Sequence, residues 1–221
     1  LSVGTGSIGS VVSVDAQGAV SLDFEAQELD VHALLKGATG DTYAGTSPNG
    51  KVVSISPDQE TQTIFDPEEL YIWDIIEAPD GNLLIATGSP GRIYRVTPTG
   101  EASLLYDTGT AHVLSLGIDS EGRILAGTGS PGRVFRIGRD GSGFILLEAG
   151  FDEIKSLRVQ PDGTIYAVAA IGKREETTTN PTSSVSTGDT PVVTVSTQVS
   201  AVVAADNVTT ANNTTSSSEH V

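Results

Sequence analysis

Apolar and polar residues alternate through most of the chain in short runs, each closed by glycine, proline, aspartate or serine. The stretch from Leu70 to Asp107 carries the pattern most clearly. Tyr71-Ile72-Trp73-Asp74-Ile75-Ile76 leads to the turn Pro79-Asp80-Gly81, and Asn82-Leu83-Leu84-Ile85-Ala86-Thr87 leads to Gly88-Ser89-Pro90-Gly91. Arg92-Ile93-Tyr94-Arg95-Val96 follows, then the turn Pro98-Thr99-Gly100, then Ala102-Ser103-Leu104-Leu105-Tyr106. β-Branched and apolar residues between turn signals predict four strands. Short glycine-bearing turns predict that they pair as antiparallel hairpins.

The same pattern recurs. Gly9, Gly50, Gly91 and Gly132 stand 41 residues apart, and Gly40, Gly81, Gly122 and Gly163 keep that interval. A four-stranded unit of about 40–45 residues matches one blade of a β-propeller. The expected fold is therefore all-β, with three complete 41-residue blades and a partial blade at each end. Val31, Ile72, Val113 and Ile154 form one core column, Leu34, Ile75, Leu116 and Leu157 a second, and Phe24, Phe65, Tyr106 and Leu147 a third. A single sheet cannot bury both its faces, so each unit needs neighbours on either side. A polar column ends every fourth strand: Glu25, Asp66, Asp107 and Glu148. Across the hairpin stand Ser10, Lys51, Arg92 and Arg133, so three ion pairs are expected on the outer rim. Such pairing accounts for the acids without a bound calcium.

Both ends break the pattern. Leu1 to Thr5 align with Thr42 to Thr46, so the first copy lacks its opening strand. The fourth copy follows the others through Ala167, after which Val168, Ala169 and Ala170 replace Gly, Thr and Gly, and Lys173 replaces the glycine of the first column. Either strands from the two ends combine into a four-bladed ring, or the tail is an insertion in a larger ring. The second option is favoured, because the chain starts and stops without caps. The expected division is a propeller over 1–171 and a low-complexity tail over 172–221. Residues 177–221 hold 12 Thr and 8 Ser among 45 positions, a composition expected to be disordered. Asn207-Val208-Thr209, Asn212-Asn213-Thr214 and Asn213-Thr214-Thr215 match the N-glycosylation acceptor, a match expected by chance in such a segment.

Charge narrows the partners. The formal net charge is -16, of which residues 1–171, with 10 basic and 23 acidic side chains, carry -13. So acidic a surface excludes a phosphate-tracking nucleic-acid binder and favours a cationic partner. No cysteine is present, which removes disulfides and Cys-based metal sites. No apolar run reaches the roughly 20 residues that span a bilayer, and no signal segment opens the chain.

Catalysis would need a reactive side chain that breaks the repeat at one place, and few occur. The most variable column is His32, Trp73, Leu114 and Lys155, and beside it runs Asp30, Tyr71, His112 and Glu153. Both open the innermost strand, where side chains reach one mouth of the central channel. His32, Tyr71, Trp73, His112 and Lys155 are therefore the candidate ligand-binding residues. His32 and His112 fall in adjoining columns and are expected on opposite faces of their strands, which argues against a shared metal. The third histidine, His220, lies in the tail. Asp74 and Ser115 lack the Gly-x-Ser-x-Gly context of a nucleophile. Trp73-Asp74 sits on the first strand without a Gly-His partner and is not a WD signature. The glycine-rich 127–132 segment recurs as a strand turn with no helix after it, so it is not a phosphate loop. No catalytic residue, metal ligand or cofactor is assigned.

At Asp80 to Ser89 and Gly91 to Val96 the repeat resembles bacterial propellers of the broad WD40/YVTN-like superfamily, in the texture of streptogramin lyase-like, NHL and two-component-regulator repeats. The resemblance covers residues 1–171. In lyase-like and gluconolactonase-like relatives it implies a metal held by acidic or histidine ligands in the channel, and no such ligand set can be matched here residue by residue. The expected role is a non-enzymatic binding or scaffold propeller, compatible with export, presenting the channel mouth to a protein, peptide or glycan. A metal-dependent propeller lyase or hydrolase, and a sensor module of a larger signalling protein, are the alternatives.

Overall fold

The computed structural model describes residues 1–171, and every regular element among them is a β-strand. The tail, its acceptor motifs and His220 lie outside the described residues. Strands β1 (Ser2–Gly4), β2 (Ser10–Val14) and β3 (Val20–Glu25) form a three-stranded antiparallel sheet. Then β4 (Asp30–Lys36), β5 (Thr42–Ser47), β6 (Val52–Ile55) and β7 (Thr61–Phe65) make the first complete four-stranded unit, paired in chain order. Beyond it come β8 (Tyr71–Glu77), β9 (Leu83–Val96), β10 (Ala102–Ile118), β11 (Ile124–Ile137), β12 (Gly143–Val159) and β13 (Ile165–Ala170).

The longer strands are two repeat strands run together. Residues 83–88 of β9 pair with β8 and residues 91–96 pair with β10, so β9 carries the second and third strands of its copy. It reverses between Thr87 and Arg92, where the Arg92 amide donates to Thr87 Oγ1 at 3.2 Å and that hydroxyl donates to the Pro90 carbonyl at 3.0 Å. Thr46 and Thr128 hold the same turn, at 3.1 Å from Lys51 N and 3.0 Å from Arg133 N. Each turn contains a cis Ser-Pro bond, at Ser47-Pro48, Ser89-Pro90 and Ser130-Pro131. In the fourth copy the equivalent residue is Ala169, which has no hydroxyl to hold the turn, and there the pattern stops.

The two glycine columns serve different ends. Gly81 has φ +80° with open space around it, so its column supplies the left-handed residue of a tight turn. Gly91 has ordinary backbone angles, but a Cβ there would stand 2.9 Å from the backbone of His112 and from Thr110 O. Its column is where the chain entering the next unit crosses directly over the turn.

Core columns predicted from spacing pack between units. Val31, Ile72, Val113 and Ile154 are all buried, as are Ile75, Leu116 and Leu157. One seam joins Ala33, Tyr43 and Val52 to Ile72, Ile75, Leu83 and Ile85, and the next joins Leu84, Ala86 and Ile93 to Val113, Leu116 and Ile124. Each such side chain contributes about 1.5–3 kcal/mol when fully buried. Across the seams β4 packs on β8, β8 on β10 and β10 on β12, so the opening strands lie side by side and form the inner edge of the fan. At the ends β1 pairs only with β2 and β13 only with β12. Both are second strands of their copies, so neither end completes the other's unit, and the four-bladed closure from both ends is not adopted among the described residues.

On the rim, two of the three expected ion pairs form: Arg92 Nε to Asp107 Oδ2 at 3.0 Å and Arg133 Nη2 to Glu148 Oε1 at 2.6 Å. Lys51 departs from expectation, its Nζ pairing with Glu28 Oε1 at 3.4 Å rather than with Asp66. Glu28 and its equivalent Glu69 stand on the linkers that lead into the units carrying Lys51 and Arg92. Glu69 is buried and accepts from Arg92 Nη1 at 3.1 Å and from the Tyr94 hydroxyl at 2.7 Å. The less exposed carboxylate captures the lysine because a buried acid without a counterion is costly, whereas an exposed one is not.

Candidate functional site

Each opening strand slips register by one residue against its neighbour, between Val31 and Ala33, Ile72 and Asp74, Val113 and Ser115, and Ile154 and Ser156. The residues set outside the ladder by these bulges are His32, Trp73, Leu114 and Lys155. A bulged residue takes no part in the regular pairing, and its side chain is re-aimed. That explains why this column is the most variable in the repeat.

Four of the five candidate residues come together. His32 lies 4.9 Å from Trp73 between ring centroids, and Tyr71 stacks on Trp73 at 5.1 Å and 17°. His112 stands edge-on to both, at 5.7 Å from Tyr71 and 5.6 Å from Trp73. Trp73 Nε1–H donates to His112 Nδ1 at 3.1 Å, which requires an unprotonated Nδ1. Gly88 forms the floor, since a Cβ there would collide with both the indole and the imidazole nitrogens. Lys155 is the exception: it is exposed, ion-pairs with Glu153 two residues before it, and makes no ring contact.

The expectation that His32 and His112 face apart is corrected. Their columns are two positions apart, which puts both on one face of the strand, and both rings pack on Trp73. Among the described residues, however, no group of three or more His, Asp or Glu could hold a metal ion. The residues present do not fit the metal implied by lyase-like relatives.

Beside the rings, Asp74 acts between units. Its Oδ1 accepts from Ile75 N at 2.9 Å and its Oδ2 from Leu116 N of the next opening strand at 2.8 Å. Burial pushes its carboxyl above the ordinary aspartate range, against the lowering effect of these two amides. One copy later Ser115 Oγ donates to Ile154 O at 3.3 Å across the following seam. Asp74 and Ser115 therefore satisfy backbone groups on the inner edge, where an opening strand has no further strand to pair with. Sequence reading missed this role. The signal was the column directly after each bulge, which is polar in three of four copies, Asp74, Ser115 and Ser156, with Ala33 in the first.

No protein-family model matches the chain, and no curated protein matches it. Solved structures do. A protein of the nidogen/laminin complex aligns with TM-score 0.63 at 12% identity, over 76% of this chain and 69% of that one. Virginiamycin B lyase from Staphylococcus aureus, solved with quinupristin, aligns with TM-score 0.63 at 14% identity, over 72% of this chain and 56% of that one. The extracellular domain of a hybrid two-component system from B. thetaiotaomicron aligns with TM-score 0.63 at 14% identity, over 76% of this chain and 24% of that one. The chain thus spans little more than half the length of the lyase. No helix among the described residues is long and apolar enough to cross a membrane. Repeating antiparallel four-stranded units, packed face to face with their opening strands innermost, and this set of fold neighbours together make the chain a β-propeller protein.

Proposed function

We propose that residues 1–171 form a non-enzymatic binding or scaffold propeller whose ligand, a protein, peptide or glycan, sits on the rings of His32, Tyr71, Trp73 and His112 at the mouth of the axial channel. The observation that carries this reading is the convergence of His32, Tyr71 and His112 on Trp73, four rings from three repeat units. His32 and Trp73 stand outside the strand ladder. Stabilising the blades does not require rings there, since the next seam carries Leu114 and Glu153 in their place. The complete ring would hold more blades than the three full units described, with residues 172–221 as a low-complexity segment and export as the setting.

Trp73 is the only tryptophan in the chain, so its emission reports this site alone. A peptide and glycan panel read by that emission should yield a saturable ligand, and Tyr71→Ala should weaken it about tenfold. Unchanged affinity in Tyr71→Ala would remove this face from consideration.

The fold likeness to virginiamycin B lyase favours a second reading, a metal-dependent lyase or hydrolase. Elemental analysis of the native protein decides it, since that reading needs a stoichiometric divalent ion. The likeness to an extracellular two-component-system domain favours a sensor module within a larger protein. Ligand-dependent activity of an attached signalling domain would carry that one.

A further inference from the structure

We propose that the group seated at the aromatic inner edge is a cation, the ammonium or guanidinium of a peptide or protein ligand; this rests on the binding reading above and names its ligand chemistry. The repeat contains its own precedent. In the last copy the first residue of the opening strand is an acid, Glu153, the bulged residue is Lys155, and the two form an ion pair. In the first complete copy the same two positions are Asp30 and His32. Asp30 Oδ1 accepts from Ser7 N at 3.2 Å, and no lysine or arginine among the described residues pairs with its carboxylate. A ligand cation would stand to Asp30 as Lys155 stands to Glu153.

The rings fit the same occupant. His32 and Tyr71 both pack on Trp73, and the one hydrogen-bond donor of that indole is taken by His112. What the cluster offers a ligand is ring surface, with the Tyr71 hydroxyl beside it. Aromatic faces attract a partly desolvated cation, and a carboxylate at one end of the row adds to that attraction. A chain of formal charge -16 also draws cations toward it and repels anions.

The test uses tetramethylammonium chloride as probe, sodium chloride at equal ionic strength as blank and methyl glucoside as neutral competitor, read by Trp73 emission. The proposal expects a saturable response to tetramethylammonium that sodium does not reproduce. Asp30→Asn, which keeps an acceptor for Ser7 N, should weaken it by about threefold, and Tyr71→Ala by about tenfold. An unchanged thermal midpoint in Asp30→Asn separates lost charge from lost fold. If tetramethylammonium gives no saturable response, the proposal is overturned. Should methyl glucoside then perturb Trp73, the binding reading survives with a neutral ligand; if neither probe does, both readings of this face fall.

Discussion

The seam between the second and third complete copies and the seam that follows it share one backbone and carry different chemistry. In the first, Gly88 lies under the Trp73 indole and the His112 imidazole, and the Asp74 carboxylate bridges to Leu116 N. In the second, Gly129 lies under Leu114 and the methylenes of Glu153, and the Ser115 hydroxyl bridges to Ile154 O. The bulge, the turn and the crossing chain are the same in both. Frame and chemistry are thus separable. Glycines and turn threonines recur because the backbone leaves no alternative, whereas residues at the bulge and just before it can change freely.

The largest effects should come from the frame. Gly91→Ala places a Cβ 2.9 Å from the backbone of the crossing chain, with no flexible side chain to give way. We expect a loss of about 3 kcal/mol or more in urea unfolding. Gly81→Ala meets no atom within 4 Å and is opposed only by its positive φ, so about 1 kcal/mol is expected. Equal losses at the two sites would end the distinction between the glycine columns.

Next come the two bridges. Asp74→Ala leaves two amides without an acceptor and should cost about 1–3 kcal/mol, and Ser115→Ala about 1 kcal/mol. Their pH behaviour should also differ. Burial raises the folded-state pKa of Asp74 above its unfolded value. Its contribution is therefore fully present below about pH 3.9 and lost as pH rises through the folded value. The deficit of Asp74→Ala relative to the parent chain should be larger in acid than at neutral pH, whereas that of Ser115→Ala should not vary with pH.

A smaller effect probes the rings. His112→Phe, which keeps a ring and removes the acceptor of the Trp73 indole N–H, should shift Trp73 emission. Unchanged emission in this variant would show that the hydrogen bond does not set the environment of the indole. The smallest effect concerns the rim. Asp66→Asn should change stability by no more than about 0.5 kcal/mol, because Lys51 is held by Glu28. A larger loss would restore the pairing expected from the hairpin register.

Much of the frame was legible in advance. Spacing identified four strands in each complete copy, both glycine columns, the buried Val31–Ile72–Val113–Ile154 column and two of the three rim pairs. Of the candidate residues, the structure brings His32, Tyr71, Trp73 and His112 together, while Lys155 is paired away from the rings. The predicted separation of the two histidines failed because their columns differ by two positions, not one, and alternate residues of a strand share a face. A bulge leaves no mark in composition, only in the pairing of strands that are distant in the chain.

By itself the sequence determined what every copy must share: strand length, turn chemistry, the faces that pack, and glycine wherever a left-handed angle or a crossing chain allows nothing larger. These constraints are local or fall between identical neighbours, so a 41-residue period states them four times over. The tertiary structure alone decided what happens once: which acid holds Lys51, which amide Asp74 reaches and how two histidines meet one indole. Such contacts join residues distant in the chain and depend on the angle between units and on the register slip of each opening strand. Neither quantity is written in any single copy.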